Sequence, residues 1–271
     1  SYCQYALTLA GHPTATGDPE HDWYVFETGR VAARSPGLTS RGVSIFRSLI
    51  DVSADPQVRL AACFQVIGHS LRGGAALAVA GAVVQTGHQV SGLPDDWYGC
   101  LLRSRFHRAV ALLYLRQERF ALMHQEMESA IALADQLFDT PPGPNDHLIA
   151  IENRRYVIEL ELAAAAAAPS ADGDHTRRRC EELVRTDPTC VEALLIAGNG
   201  YLDVDHLEDA AACFARAGQL ETAAGAVGWY RAGQCYHLLG DRPAASQAMA
   251  QCLELDAYAV EPRTYLGGSH V

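Results

Sequence analysis

Residues 191–217 read VEALLIAGNGYLDVDHLEDAAACFARA and residues 226–252 read AVGWYRAGQCYHLLGDRPAASQAMAQC, and the fold rests on their likeness. With a shift of 35 residues, Gly198 falls on Gly233, Tyr201 on Tyr236, Ala210 on Ala245 and Phe214 on Met249. Leu194, Ala197 and Ala217 fall likewise on Trp229, Ala232 and Cys252. The apolar positions recur every three or four residues, the period of a helix with one buried face. Small residues at Gly198 and Ala210 let two helices approach closely, and the rings of Tyr201 and Phe214 fill the wedge between them and the next pair. A two-helix unit of this kind is apolar on two sides and must stack on a neighbour to bury its core.

Upstream, helix starts are marked by acid–proline pairs. Asp18-Pro19-Glu20 supplies an N-cap, a proline at the first helical position and an early acid, which predicts a helix to about Arg34. Ser35-Pro36-Gly37 ends it, Thr39 or Ser40 caps a second helix to about Val52, and Asp55-Pro56 opens a third to about Ser70. Arg72-Gly73-Gly74 reads as a turn before a helix from Ala75 to about Thr86. A pair follows, from Pro94 to Leu115 and from Glu118 to Leu137, whose short connection implies antiparallel packing. Asp139 to Asp146, with three prolines and a glycine, is the clearest linker. Beyond it a helix is expected from His147 through a run of six alanines to Ala168, and another from Thr176 to about Thr186. Long period-two alternation is missing, and no Asn-Gly or Asp-Gly pair, Asn199-Gly200 and Asp172-Gly173 included, joins two alternating runs into a hairpin, so the expected class is all-α. The expected organisation is a helical region over 1–138, a linker over 139–146, and repeats with a C-terminal tail over 147–271.

The repeat resembles the tetratricopeptide family, whose pattern is W-x2-L-G-x2-Y…A-x3-F…P over about 34 residues. Thr186-Asp187-Pro188 falls where that family ends a repeat, and Leu255-Asp256 occupies the equivalent end of the second copy, with Ala257 in place of proline. The resemblance is clearest over 191–257; upstream, Cys63, Ala75, Val79 and Ala82, and again Ala111, Tyr114, Met127 and Ala130, fit its small and apolar positions. It implies a right-handed α-solenoid of antiparallel helical hairpins, whose first helices line a concave groove that binds protein or peptide segments. The groove positions carried over are Glu192, Leu195, Asn199, Leu202 and Asp203 in the first copy, and Val227, Tyr230, Gln234, His237 and Leu238 in the second. Asn199 and Gln234 offer amides that bond a peptide backbone irrespective of sequence, and Tyr230 offers a rigid anchor with a polar tip. Asn199 and Arg231 also sit where the chaperone-tail branch of the family clamps a carboxylate. Leu195 stands in place of a clamp lysine, which argues against that role.

The chain has 271 residues, with 21 arginines, no lysine and 32 Asp and Glu, for a net charge of −11. That balance argues against nucleic-acid and anionic-membrane partners and favours basic or polar segments. The lack of lysine excludes a Walker-A loop, a kinase ATP-lysine and a pyridoxal Schiff base. HExxH, GxSxG and GxGxxG do not occur, and no two histidines stand at i,i+4 metal spacing, so neither catalytic residue nor metal nor cofactor is expected. His107 and His124 on neighbouring helices, with Glu126 or Glu128, are the one constellation that could form a site. The eight cysteines lack CxxC spacing and read as free, mostly buried thiols of a cytoplasmic protein, Cys213, Cys235 and Cys252 among them as core residues. His21, Trp23, Tyr24 and Phe26 read as an aromatic cap on the first helices. Arg177-Arg178-Arg179 reads as a basic face partnered by Glu181 and Glu182. No segment of about 18 apolar residues and no basic leader segment is present, so neither a membrane span nor a secretion signal is expected. Abundant Ala and Arg suggest a bacterium of high GC content. The function expected is a protein- or peptide-binding adaptor. The alternatives are a ligand- or peptide-sensing segment of a larger regulator, and an accessory factor or enzyme with its site in the solenoid hollow.

Overall fold

A computed structural model describes residues 14–73, 77–167, 172–220 and 224–268. The described residues form thirteen α-helices and no strand. In chain order these are α1 (Pro19–Arg34), α2 (Thr39–Val52), α3 (Pro56–Gly73), α4 (Leu77–His88), α5 (Trp97–Arg116), α6 (Phe120–Asp139) and α7 (Pro144–Ala167). They continue as α8 (Gly173–Thr186), α9 (Val191–Asp203), α10 (Leu207–Gln219), α11 (Gly225–Leu238), α12 (Arg242–Leu255) and α13 (Val260–Gly268). Among the described residues no helix is long and apolar enough to cross a membrane. The chain divides into two compact units, Ser1–Asn153 and Arg154–Val271, and the division falls inside α7 rather than at residues 139–146.

Several helix ends differ in detail from expectation. Asp18 precedes α1 in extended backbone, yet its side chain makes no capping bond. The fully buried Asp22 carboxylate instead turns back to accept the N–H groups of Thr16 at 2.9 Å and Gly17 at 3.2 Å. Pro144 opens α7 rather than ending a linker, because a proline in the first turn gives up an N–H that has no intrahelical partner anyway. Thr39 and Ser40 likewise lie inside α2, which starts after Leu38 without a side-chain cap. α3 runs through Arg72 and Gly73, where a turn was expected; Gly74 and Ala75 lie outside the described residues, as does the end of the alanine run at Ala168.

In the first unit α1 packs on α2 and α3, and α3 packs on α2, α4 and α5. One core cluster joins Phe26, Phe46, Leu49, Ile67, Phe106 and Leu113. The aromatic cap is formed in part. Trp23 meets Phe26 edge-on at 5.4 Å and donates its indole N–H to Asp55 at 3.0 Å, whereas Tyr24 is exposed. A buried polar chain ties α5, α6 and α7: Asn153 donates to Ser104 Oγ at 2.8 Å, and Ser104 donates to the Ala130 carbonyl at 3.2 Å.

In the second unit each of α8 to α12 packs on the helix that follows it. The residues matched by the 35-residue shift occupy matched places. A Cβ at Gly198 would lie 2.5 Å from the Phe214 ring, and one at Gly233 would lie 2.8 Å from the Met249 methyl. Both copies therefore press a side-chain-free strip of the first helix onto the bulky residue of the second.

The turns repeat as well. α5–α6, α9–α10 and α11–α12 are each joined by three residues, and the middle one has a positive φ: Glu118 at 57°, Asp205 at 59° and Gly240 at 80°. In each turn the next N–H reaches back five residues to a tyrosine carbonyl: Arg119 to Tyr114, His206 to Tyr201 and Asp241 to Tyr236, all at 2.9 Å. This is the Schellman closure, in which a left-handed residue satisfies carbonyls that the ending helix leaves open. One such turn lies in the first unit, at the tyrosine of the degenerate match.

The segment expected as a tail is a helix. α8–α9 and α12–α13 are joined by four residues each, both beginning with an aspartate, and α13 packs on α12. Val260-Glu261 and Gly267 fall on Val191-Glu192 and Gly198 at a shift of 69 residues.

Candidate functional site

A pocket of about 470 Å3 lies in the second unit between α9, α11, α12 and α13. Leu202 closes one end, and Tyr230, Arg231, Gln234, His237 and Leu238 form a wall along α11. Met249 reaches in from α12, and Glu261 and Tyr265 form the α13 side. The wall exists because the opposite face of α11 is spent on the core: Ala232 is buried and Gly233 presses on Met249, while the buried Cys235 borders both the core and the pocket. With a helical period of 3.6 residues, Tyr230, Gln234, His237 and Leu238 are left on the other face.

The wall is internally bonded. Gln234 Nε2 donates to Tyr230 Oη at 3.0 Å, and Arg231 Nη1 points at Gln234 Oε1 at 3.5 Å. The Tyr265 hydroxyl lies 3.4 Å from His237 Nδ1, and the two rings meet edge-on with centroids 5.5 Å apart. This contact pins α13 against the end of α11. Leu238 is 67% exposed, which is unusual for leucine and places an apolar rim at the opening.

Of the ten groove positions carried over, Leu202, Tyr230, Gln234, His237 and Leu238 line this pocket, and so does Arg231 of the clamp comparison. Glu192, Leu195, Asn199, Asp203 and Val227 do not. Glu192 is exposed, its carboxyl held below the usual range by its own backbone N–H and by the Cys190 thiol, which donates to it at 3.4 Å. Leu195 is half-buried against the cores on both sides of α9, while Asn199 and Asp203 are exposed. Glu261, Tyr265 and Met249 were missed. Glu261 carries a signal that could have found it, since it falls on Glu192 at the 69-residue shift. Tyr265 has no counterpart in the other copies, so only the packing of α13 reveals it.

The histidine constellation rearranges. His107 Nδ1 lies 2.7 Å from Glu126 Oε2, but the second imidazole on that carboxylate is His88, whose Nε2 is 3.0 Å from Oε1; His124 is exposed. The sequence missed His88 because it closes α4, two residues beyond the expected helix end. Among the described residues no group of three or more His, Cys, Asp and Glu could hold a metal ion. Of the arginine cluster, Arg177 pairs with Glu181, and Arg179 pairs with Glu182 and with Glu161 of α7.

The seven described cysteines are all free, and all but Cys190 are buried. Burial pushes the Cys63 and Cys180 thiols up to about 12 and Cys213 up to about 11. At neutral pH these groups are protonated and not nucleophilic. Since they ionise near pH 9 once unfolded, the protein is fully stabilised by them below that pH and loses the contribution as pH rises through about 11 to 12. No lysine titrates alongside, and the tyrosines, with Tyr98 and Tyr201 pushed up by burial, add to the loss only above about pH 10. The urea midpoint is therefore expected to hold steady from neutral pH to about 8.5 and to begin falling above about 9. Alanine or serine at Cys63, Cys180 and Cys213 should flatten that fall, and an unchanged slope would remove the thiols as its cause.

Comparison of the chain with the models of known protein families and with curated protein sequences gives no match.

Proposed function

We propose that the second unit is a peptide-binding module of tetratricopeptide type, built as a right-handed stack of antiparallel helical hairpins. The observation that carries the reading is that four residues at inner-helix positions of one repeat copy, Tyr230, Arg231, Gln234 and His237, converge on one pocket with an apolar rim. Three Schellman turns of one form, and matched glycine contacts at Gly198 and Gly233, support a recurring two-helix unit. Under this reading α13 stands as the first helix of a third copy. The bound segment lies along the first helices α9, α11 and α13, with one apolar side chain in the pocket. A volume of about 470 Å3 suits a few residues rather than a folded surface.

The test is selection of peptides from a displayed random library on the full chain, with the Leu238→Asp variant as counter-screen. Leu238 is largely exposed, so the variant is expected to fold with a stability change within about 0.5 kcal/mol. Peptides that bind the wild type and lose at least tenfold affinity for the variant support the reading. A selection yielding no binders, or only peptides that bind both proteins equally, would refute it.

A further inference from the structure

The two sides of the pocket differ in hydrogen-bonding character. On α11 the Gln234 carbonyl oxygen faces Arg231, and the Gln234 amide donates to the Tyr230 oxygen. This wall offers outward an excess of donors: the Tyr230 hydroxyl proton, the remaining Arg231 N–H groups and the second amide proton of Gln234. Against these stand the second lone pair of the Gln234 oxygen and the His237 Nε2, which donates or accepts with the ring's tautomer. On α13 the Tyr265 hydroxyl is engaged with His237, and the other polar group lining the pocket is the Glu261 carboxylate, an acceptor; among the described residues no ion pair or hydrogen bond engages it. Leu202, Leu238 and Met249, which also line the pocket, have no strong polar group to satisfy. A ligand that matches these groups presents acceptors to α11, a donor or cation to α13, and an apolar group to the two leucines and the methionine.

We infer that the site selects an extended peptide segment in which a bulky apolar residue is accompanied, within two positions, by lysine or arginine. Backbone carbonyls of the segment meet the α11 donors, the apolar side chain enters between Leu202, Leu238 and Met249, and the cation meets Glu261. The charge of the whole unit points the same way. Residues 154–271 hold ten arginines against seventeen carboxylates, so the field around the pocket draws a cationic segment in and resists an acidic one. An acidic flank would also set a second carboxylate beside Glu261. The inference rests on the peptide-binding reading, since it specifies the occupant of that same pocket.

The library selection tests it through the composition of the peptides that depend on Leu238. The expected consensus is Leu, Met or Phe with Lys or Arg no more than two residues away. The tightest such peptide, synthesised with blocked ends, should then bind Glu261→Gln about threefold to fivefold more weakly at low salt, the size of an exposed charge pair. That difference should vanish in high salt. Glu261→Arg should select acidic flanks in place of basic ones. Leu238-dependent peptides with acidic or uncharged flanks, or affinities indifferent to Glu261, would overturn this inference while leaving the peptide-binding reading intact. A selection without any Leu238-dependent peptide would overturn both.

Discussion

Phe214→Ala is expected to lower the stability of the second unit by about 3–5 kcal/mol, a large part of what a domain of this size has. The ring has no exposed surface, and deleting it removes both buried area and the contacts of its lining. Its nearest constraint is Gly198, where a Cβ would come within 2.5 Å of a ring carbon. Gly198→Ala alone should therefore cost about 1–3 kcal/mol through overpacking, and Gly198→Trp should prevent folding of the unit. In the double variant Gly198→Ala/Phe214→Ala the clash is gone, so the combined loss should fall short of the sum by about 1 kcal/mol or more. Asn199→Ala, one residue along and exposed, should stay within about 0.5 kcal/mol. Urea denaturation followed by circular dichroism measures all of these. Strict additivity of the two core changes, or equal losses at positions 198 and 199, would contradict the packing of α9 on α10.

Arg179→Ala is the second large effect, expected at about 3–5 kcal/mol. Glu161 on α7 is only 7% exposed and is paired with Arg179 of α8, with the His175 ring nitrogen 3.7 Å away. Truncating the arginine withdraws the guanidinium from a carboxylate that stays out of water, and the loss of that partner dominates the cost. Glu182, the other partner of Arg179, keeps Arg154 at 2.7 Å and suffers less. Because the penalty comes from the buried charge that remains and not from the pair, Glu161→Leu/Arg179→Leu should recover most of it. Thermal unfolding at constant salt distinguishes the two. A double variant as unstable as the single one would mean that the pair itself, rather than the burial of one member, sustains the α7–α8 contact.

The sequence disclosed most where one residue type answers one local demand. Pro19 and Pro56 open their helices as expected, because proline suits the first turn and little else in a helix. Gly198 and Phe214 were legible as partners because a close approach admits only the smallest side chain. Glu118 and Asp205 were not legible as turn centres, since neither is the glycine a left-handed residue favours; their equivalence to Gly240 shows only in the backbone. α13 was hidden by its brevity: nine residues carry too few turns for periodicity to show, and its matches to α9 are three scattered positions. For the site, the α11 wall could be read from the repeat, whereas Met249, Glu261 and Tyr265 arrive from neighbouring helices. Asn199 and Asp203 fell outside the pocket because helical phase says which residues share a face of α9, not where along that face a hollow forms. His88 and His107 meet on Glu126 through the packing of three helices, a contact with no spacing in the chain to announce it.

Amide hydrogen exchange, measured on the full chain with and without a Leu238-dependent peptide, tests most directly whether the pocket is where this protein holds its partner. The peptide is expected to slow exchange along Tyr230–Leu238 and Val260–Tyr265, the helices that face each other across the hollow, while α10 and the first unit keep their rates. Protection centred elsewhere, with α11 and α13 unchanged at saturation, would contradict it.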